Sequence, residues 1–156
     1  MPLDLRKKEV RDYIRECLEM YKELGFDFFK LDFLYAACIL PRPDKTRGRI
    51  MADGMDLLRE ISGDAKILGC GVPLSSAFNR VDYCRIGPDV SLDFDDKFYM
   101  RLMHRERIST KVTLCNTIYR QCMDGSVFRC DPDVFLLRDD HMNLSEENKE
   151  ALVILN

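Results

Sequence analysis

Four short apolar runs, set between helical segments, limit this chain more than any other feature. They are FDFFKLDFLYA (Phe26–Ala36), AKILGCGVPL (Ala65–Leu74), RVDYCRIGPDV (Arg80–Val90) and SVFRCDPDVFLL (Ser126–Leu137). Each is too short for a typical helix, and each reads as a strand buried on both faces. Residues 4–24 read as an amphipathic helix, because Val10, Tyr13, Ile14, Cys17, Leu18, Tyr21 and Leu24 recur at three- and four-residue spacing. Asp4 is expected to cap its start, and Gly25 suits its C-terminal turn. Cys38–Arg49, with two prolines and four basic residues, reads as a loop. Met51–Ile61 reads as a helix closed by Ser62 and Gly63, Lys97–Met123 offers helical material, and Ser145 caps a last helix. The order is helix, strand, helix, strand, strand, helix, strand, helix. Apolar strands separated by helices predict a parallel sheet with crossovers, an α/β fold.

The polar residues inside these runs raise a question that burial cannot answer, because Lys and Asp are almost never buried unless paired or used. Side chains alternate along a strand. In the first run Phe29, Leu31 and Phe33 share one face, and Phe28, Lys30, Asp32 and Leu34 share the other. The first face suits packing under helices. The third run carries Arg85 and Asp89, and the fourth Arg129, Asp131 and Asp133. Charges thus gather at the C-terminal ends of three strands, where parallel α/β proteins bind ligands. Inert ion pairs are the competing reading. Lys30 would hold Asp32 ionised by its charge, which makes Asp32 a candidate nucleophile. Asp89 is a candidate proton donor, against the pull of Arg85 toward its charged form. Two such carboxylates are what a retaining glycosidase requires.

Composition excludes several other classes. The 156 residues, 46% hydrophobic and 33% charged, suit one ordinary domain, and the net charge of −3 disfavours a nucleic-acid partner. No apolar run reaches the roughly 18 residues of a membrane span, and the charged first residues show no signal peptide. Seven cysteines without a CxxC pair suit a reducing compartment, read as cytoplasm, rather than a disulfide framework or a zinc site. His104 and His141 have no ligand-spaced partner, and Asp93, Asp95 and Asp96 lack the glycine and glutamate of a calcium loop, so no metal or other cofactor is expected.

FDFFKLDFLYAA, ILGCGVPL, RIGPDV and DPDVFLLR, in this order and spacing, resemble the melibiase-type α-galactosidases, retaining α-glycoside hydrolases with a (β/α)8 TIM-barrel catalytic domain. The resemblance covers nearly the whole chain. It implies that Asp32 is the nucleophile that forms a covalent glycosyl-enzyme intermediate and that Asp89 is the general acid/base. It further implies that Lys30 and Arg85 contact sugar hydroxyls, that Asp133 lines the sugar subsite and that Cys70 lies close to the ligand. The implied substrate is an oligosaccharide or other glycoside with a terminal α-linked sugar. Two departures stand out. Gly71 and Val72 occupy positions where some relatives read the sugar with an acidic residue and an aromatic, and Asn79 stands where a turn glycine is expected.

If KLD marks barrel strand four and DPD strand seven, residues 1–156 form a single partial catalytic domain, with strands four to seven and their helices. The carboxylates that bind the sugar's 4- and 6-hydroxyls then lie on strands outside the chain. Open edges on strands four and seven are templates for self-association. A chain of this kind is expected to hydrolyse poorly or not at all. A non-catalytic carbohydrate-binding or degenerate half-barrel module is the alternative. The remaining features read as structural. Arg42, Lys45, Arg47 and Arg49 form a solvated loop bordering the cleft, Arg101, Arg105 and Arg107 an exposed helix face, and Met100 and Met103 core. Asp131 either braces its loop or touches substrate.

Overall fold

The computed structural model describes residues 3–103, 107–134, 136–137 and 140–155. The expected positions His104, Arg105 and Phe135 lie outside the described residues. The fold is α/β, as expected. A parallel sheet of four strands runs in the order β1 (Phe28–Leu31), β2 (Lys66–Gly69), β3 (Tyr83–Arg85) and β4 (Arg129–Asp131). Strands that neighbour each other in chain order are the arrangement of part of a (β/α)8 barrel. The chain divides into two compact units, one of Met1–Cys84 with Val127–Arg129, the other of Arg85–Ser126 with Cys130–Asn156.

In the first unit, α1 (Lys8–Glu23) ends as the sequence predicts. Gly25 takes φ 92°, its N–H donates to Lys22 O, and the Phe26 N–H donates to Tyr21 O. These two bonds make a Schellman turn, and the Tyr21 and Phe26 rings pack edge-on at 6.0 Å across it. The start differs from expectation. Lys7 precedes the helix without a side-chain cap, while Asp4 accepts from the N–H and guanidinium of Arg6 one turn earlier. The second helix, α2 (Arg47–Ser62), begins inside the predicted loop because Thr46 Oγ1 accepts from the Arg49 N–H and caps it. Arg49 and Lys45 both pair with Asp53, so that part of the basic stretch is neutralised locally.

Residues Phe29 and Leu31 of β1 face α1 and α2, where Phe29 is buried with Leu18, Ile61 and Ala65 and packed by Ile14 and Leu57. Burying side chains of this size stabilises by about 1.5–3 kcal/mol each. The opposite face of the sheet is uncovered. Phe28 is 47% and Tyr83 37% exposed, and their rings lie 5.5 Å apart. Phe33, expected with Phe29 and Leu31, is instead 66% exposed, because the strand stops at Leu31 and Phe33 turns left-handed at φ 53°. After β2, the short helix α3 (Leu74–Ala77) leads to Asn79, which does adopt positive φ, 58°, and donates its N–H to Val127 O.

In the second unit the predicted helical stretch is broken. It forms α4 (Phe98–Leu102) and α5 (Thr110–Arg120), the latter capped by Ser109 Oγ accepting from the Val112 N–H. Met103 is exposed rather than core. The last helix, α6 (Glu146–Leu155), is capped by Ser145 as predicted. The three aspartates that mimicked a calcium loop each meet cations or amides. Asp93 binds Lys97 and Asn143, Asp95 binds Lys111, and Asp96 is held by Arg101 and Arg107. Among the described residues, no group of three or more His, Cys, Asp or Glu is placed to hold a metal ion, and no helix is long and apolar enough to cross a membrane.

Candidate active site

Asp32 follows the last residue of β1 directly. The chain leaves the strand there because Phe33 is left-handed, and Asp32 Oδ1 accepts the Phe33 N–H at 2.7 Å. A 3-10 turn, Leu34–Cys38, comes next. Three main-chain bonds tie this corner to the end of β2. Cys70 N–H donates to Leu31 O at 2.8 Å, Leu34 N–H to Cys70 O at 3.3 Å, and Tyr35 N–H to Gly71 O at 2.7 Å. Cys70 is therefore next to the Asp32 corner and buried, a relation that the flanking glycines hid from strand parity. Gly71 has φ +62°, and a Cβ on it would meet the Tyr35 ring at 3.3 Å and the Phe33 backbone at 3.4 Å. Sequence reasoning treated Gly71 as a missing sugar contact. Its place against the Asp32 turn was legible only as one glycine of GCG.

Lys30 corrects the parity argument. It is exposed on β1, and among the described residues it forms no ion pair with Asp32. The reason is the early end of the strand. Alternation would have set the two side chains on one face, but the left-handed turn directs the Asp32 carboxylate to the main chain of its own corner.

The second candidate group is built around Arg85, the last residue of β3, whose side chain is only 7% exposed. Its Nε donates to Asp131 Oδ2 at 3.0 Å, its Nη1 to Asp89 Oδ1 at 3.2 Å, and its Nη2 lies 2.8 Å from Asp133 Oδ1. A planar fork of donors suits such convergence of carboxylates. Asp89 reaches it from the Gly87–Pro88 loop and keeps 70% of its side chain open to solvent. Asp131 and Asp133 are far less open. Asp133, at φ 80°, also accepts the Val90 N–H at 2.9 Å, and Asp131 Oδ1 accepts the Asp133 N–H at 2.9 Å. The bracing role for Asp131, one of two left open by the sequence, is the one its bonds display. Arg85 and Asp89 meet as the sequence predicted, although β3 ends at Arg85 and parity no longer applies beyond it.

No family model matches the chain. Solved structures do. TtGalA, an α-galactosidase from Thermus thermophilus, in complex with stachyose, superposes on 95% of this chain with a TM-score of 0.81 and 29% sequence identity, which is 32% of that chain. TtGalA in complex with p-nitrophenyl α-D-galactopyranoside gives the same TM-score and identity over 95% of this chain and 30% of that one. This chain thus spans about a third of the length of the enzyme it matches. Over nearly all of its residues, the chain has the structure of an α-galactosidase-type segment, part of a (β/α)8 glycoside hydrolase barrel.

Proposed function

We propose that residues 1–156 are one partial catalytic domain of an α-galactosidase-like retaining glycoside hydrolase, and that they carry both of its reacting carboxylates. Asp89 protonates the glycosidic oxygen of a terminal α-linked galactoside while Asp32 attacks the anomeric carbon. Asp89 then takes a proton from water, which releases the sugar with retained configuration. A retaining pair must work at a separation of about 5–5.5 Å. In this reading Lys30 and Cys70 border the sugar beside Asp32, and Arg85 and Asp133 border it beside Asp89. The observation that carries the reading is the likeness to TtGalA, at 29% identity over 95% of this chain, together with the open Asp89 on a buried Arg85. The absence of any disulfide among the seven cysteines agrees with a cytoplasmic setting. The 156-residue chain alone turns over slowly or not at all, since the resemblance assigns part of the sugar-binding set to other strands.

The test is covalent trapping with a 2-deoxy-2-fluoro-α-galactosyl fluoride, read by peptide mass spectrometry, beside turnover of p-nitrophenyl α-D-galactopyranoside. A label on Asp32, and loss of any turnover in Asp32→Asn, are expected. A label elsewhere, or turnover unchanged in Asp32→Asn, removes the assignment. Fast turnover that depends on Asp32 removes only the expectation of low activity. A second reading, a carbohydrate-binding or degenerate module, is favoured by the occupation of Arg85 by three aspartates. Galactoside binding without trapping or turnover decides for it.

A further inference from the structure

Arg85 does not stand beside Asp89 as an isolated cation. It is seated first. Two carboxylates from β4 and the residues just after it take its Nε and Nη2 edges, and those carboxylates are themselves fixed by main-chain N–H groups. Asp131 is the pivot. One of its oxygens holds Arg85 Nε and the other holds the Asp133 N–H, so it sets both the guanidinium and the second carboxylate that grips it. Only then does Nη1 remain directed toward Asp89. We propose that Asp131 is a positioning residue for the acid/base: with Asp133 it seats Arg85, and Arg85 in turn fixes where the Asp89 carboxylate points and how strongly it is drawn to its ionised form. The proposal rests on the reading of Asp89 given above, but not on the chain being active.

The chemistry sets the direction of the effect. The charged groups that face the guanidinium are Asp89 from the loop after β3, Asp131 from β4 and Asp133 from the segment after it. Asparagine at 131 has a single acceptor oxygen and must leave either Arg85 Nε–H or the Asp133 N–H facing an NH2 group. It also removes one negative charge that competes with Asp89 for Arg85. The guanidinium loosens, and its attraction falls more fully on Asp89, which then holds its proton less readily. Glutamate at 131 keeps the charge and both acceptors.

The experiment is NMR on the 156-residue chain, with Arg85 Nε–H exchange and the Asp89 side-chain carboxyl titration as readouts. In the wild type, Arg85 Nε–H should exchange at least about tenfold more slowly than that of the exposed Arg47, as expected for a buried charge-assisted bond. In Asp131→Asn its exchange should accelerate and the Asp89 midpoint should move to lower pH, and Asp131→Glu should restore both. Arg85 exchange as fast as that of Arg47 in the wild type overturns the proposal even if the Asp131→Asn chain does not fold. An Asp89 midpoint unmoved in a folded Asp131→Asn overturns it as well. Neither readout uses catalysis, so failure of the glycosidase assignment and failure of the seating argument are separately visible.

Discussion

The Arg59 guanidinium donates to Asp82 Oδ2 at 2.6 Å, which ties the last turn of α2 to the residue before β3. The same oxygen accepts the Ile67 N–H, and Lys66 reaches Oδ1. Burial works against the charge on Asp82, but the Ile67 N–H and the Lys66 and Arg59 cations outweigh it and hold the carboxyl at about 2. A depressed carboxylate contributes stability above its unfolded value, near 3.9, and that contribution is lost as pH falls toward the folded value. Asp82→Asn should therefore cost about 2 kcal/mol at neutral pH. Urea unfolding at a series of pH values should show the gap to wild type closing between about pH 4 and about pH 2. A gap that is the same at pH 2 as at pH 7 contradicts the mechanism.

Gly71→Ala should disturb the Asp32 corner. Its φ of +62° disfavours any side chain, and the added methyl would press on the Tyr35 ring and the Phe33 backbone. The conformational term alone is about 1–2 kcal/mol. Thermal unfolding should register that loss, and amide shifts of Phe33 and Tyr35 should move while those of α6 stay in place. A variant as stable as wild type would mean that the turn relaxes freely.

Thr46→Ala should cost about 1 kcal/mol, the usual value of an N-cap. The residue is exposed and its hydroxyl accepts the Arg49 N–H at 3.2 Å, so little else is lost. Thr46→Ser should recover most of the difference. Equal unfolding midpoints for all three chains would show that α2 does not depend on its cap.

Exposed Phe28 and Tyr83 lie on the sheet face that the helices leave uncovered, and β1 and β4 are its outer strands. An apolar face beside strand edges invites association. Sedimentation equilibrium should show an average mass that rises with concentration, and Phe28→Lys should weaken the rise. A single 18.2 kDa species at every micromolar concentration tested would end this expectation.

The sequence made the sheet and its order legible because period and apolarity change together at each strand. It located the Gly25 turn, the Ser145 cap and the positive φ at Asn79 because each depends on one residue's local chemistry. The places where it failed share a cause. Lys30 with Asp32, and Phe33 with Phe29, were grouped by an alternation that holds only while a strand continues, and β1 ends at Leu31. The break at residues 103–109 was hidden because nothing in the local pattern announces that Ser109 caps a new helix. In the Arg85 cluster, the fork of three aspartates joins residues 46 and 48 positions apart in sequence with one four positions away. The D-P-D spacing hinted at it, but only the fold brings β4 to the end of β3. Asp32 and Asp89 were picked out as candidate carboxylates by their company of charged residues at strand ends, before any likeness was invoked.

The edge-on contact of Tyr21 with Phe26 has a consequence for how this chain reaches its shape. Everything that aims β1 away from α1 lies within a few positions of Gly25, so little loop-closure entropy opposes that step. The direction in which Asp32 is delivered is thus prepared by near neighbours, whereas the grip on Arg85 must await the arrival of distant residues, and the two halves of the chemistry mature on different schedules.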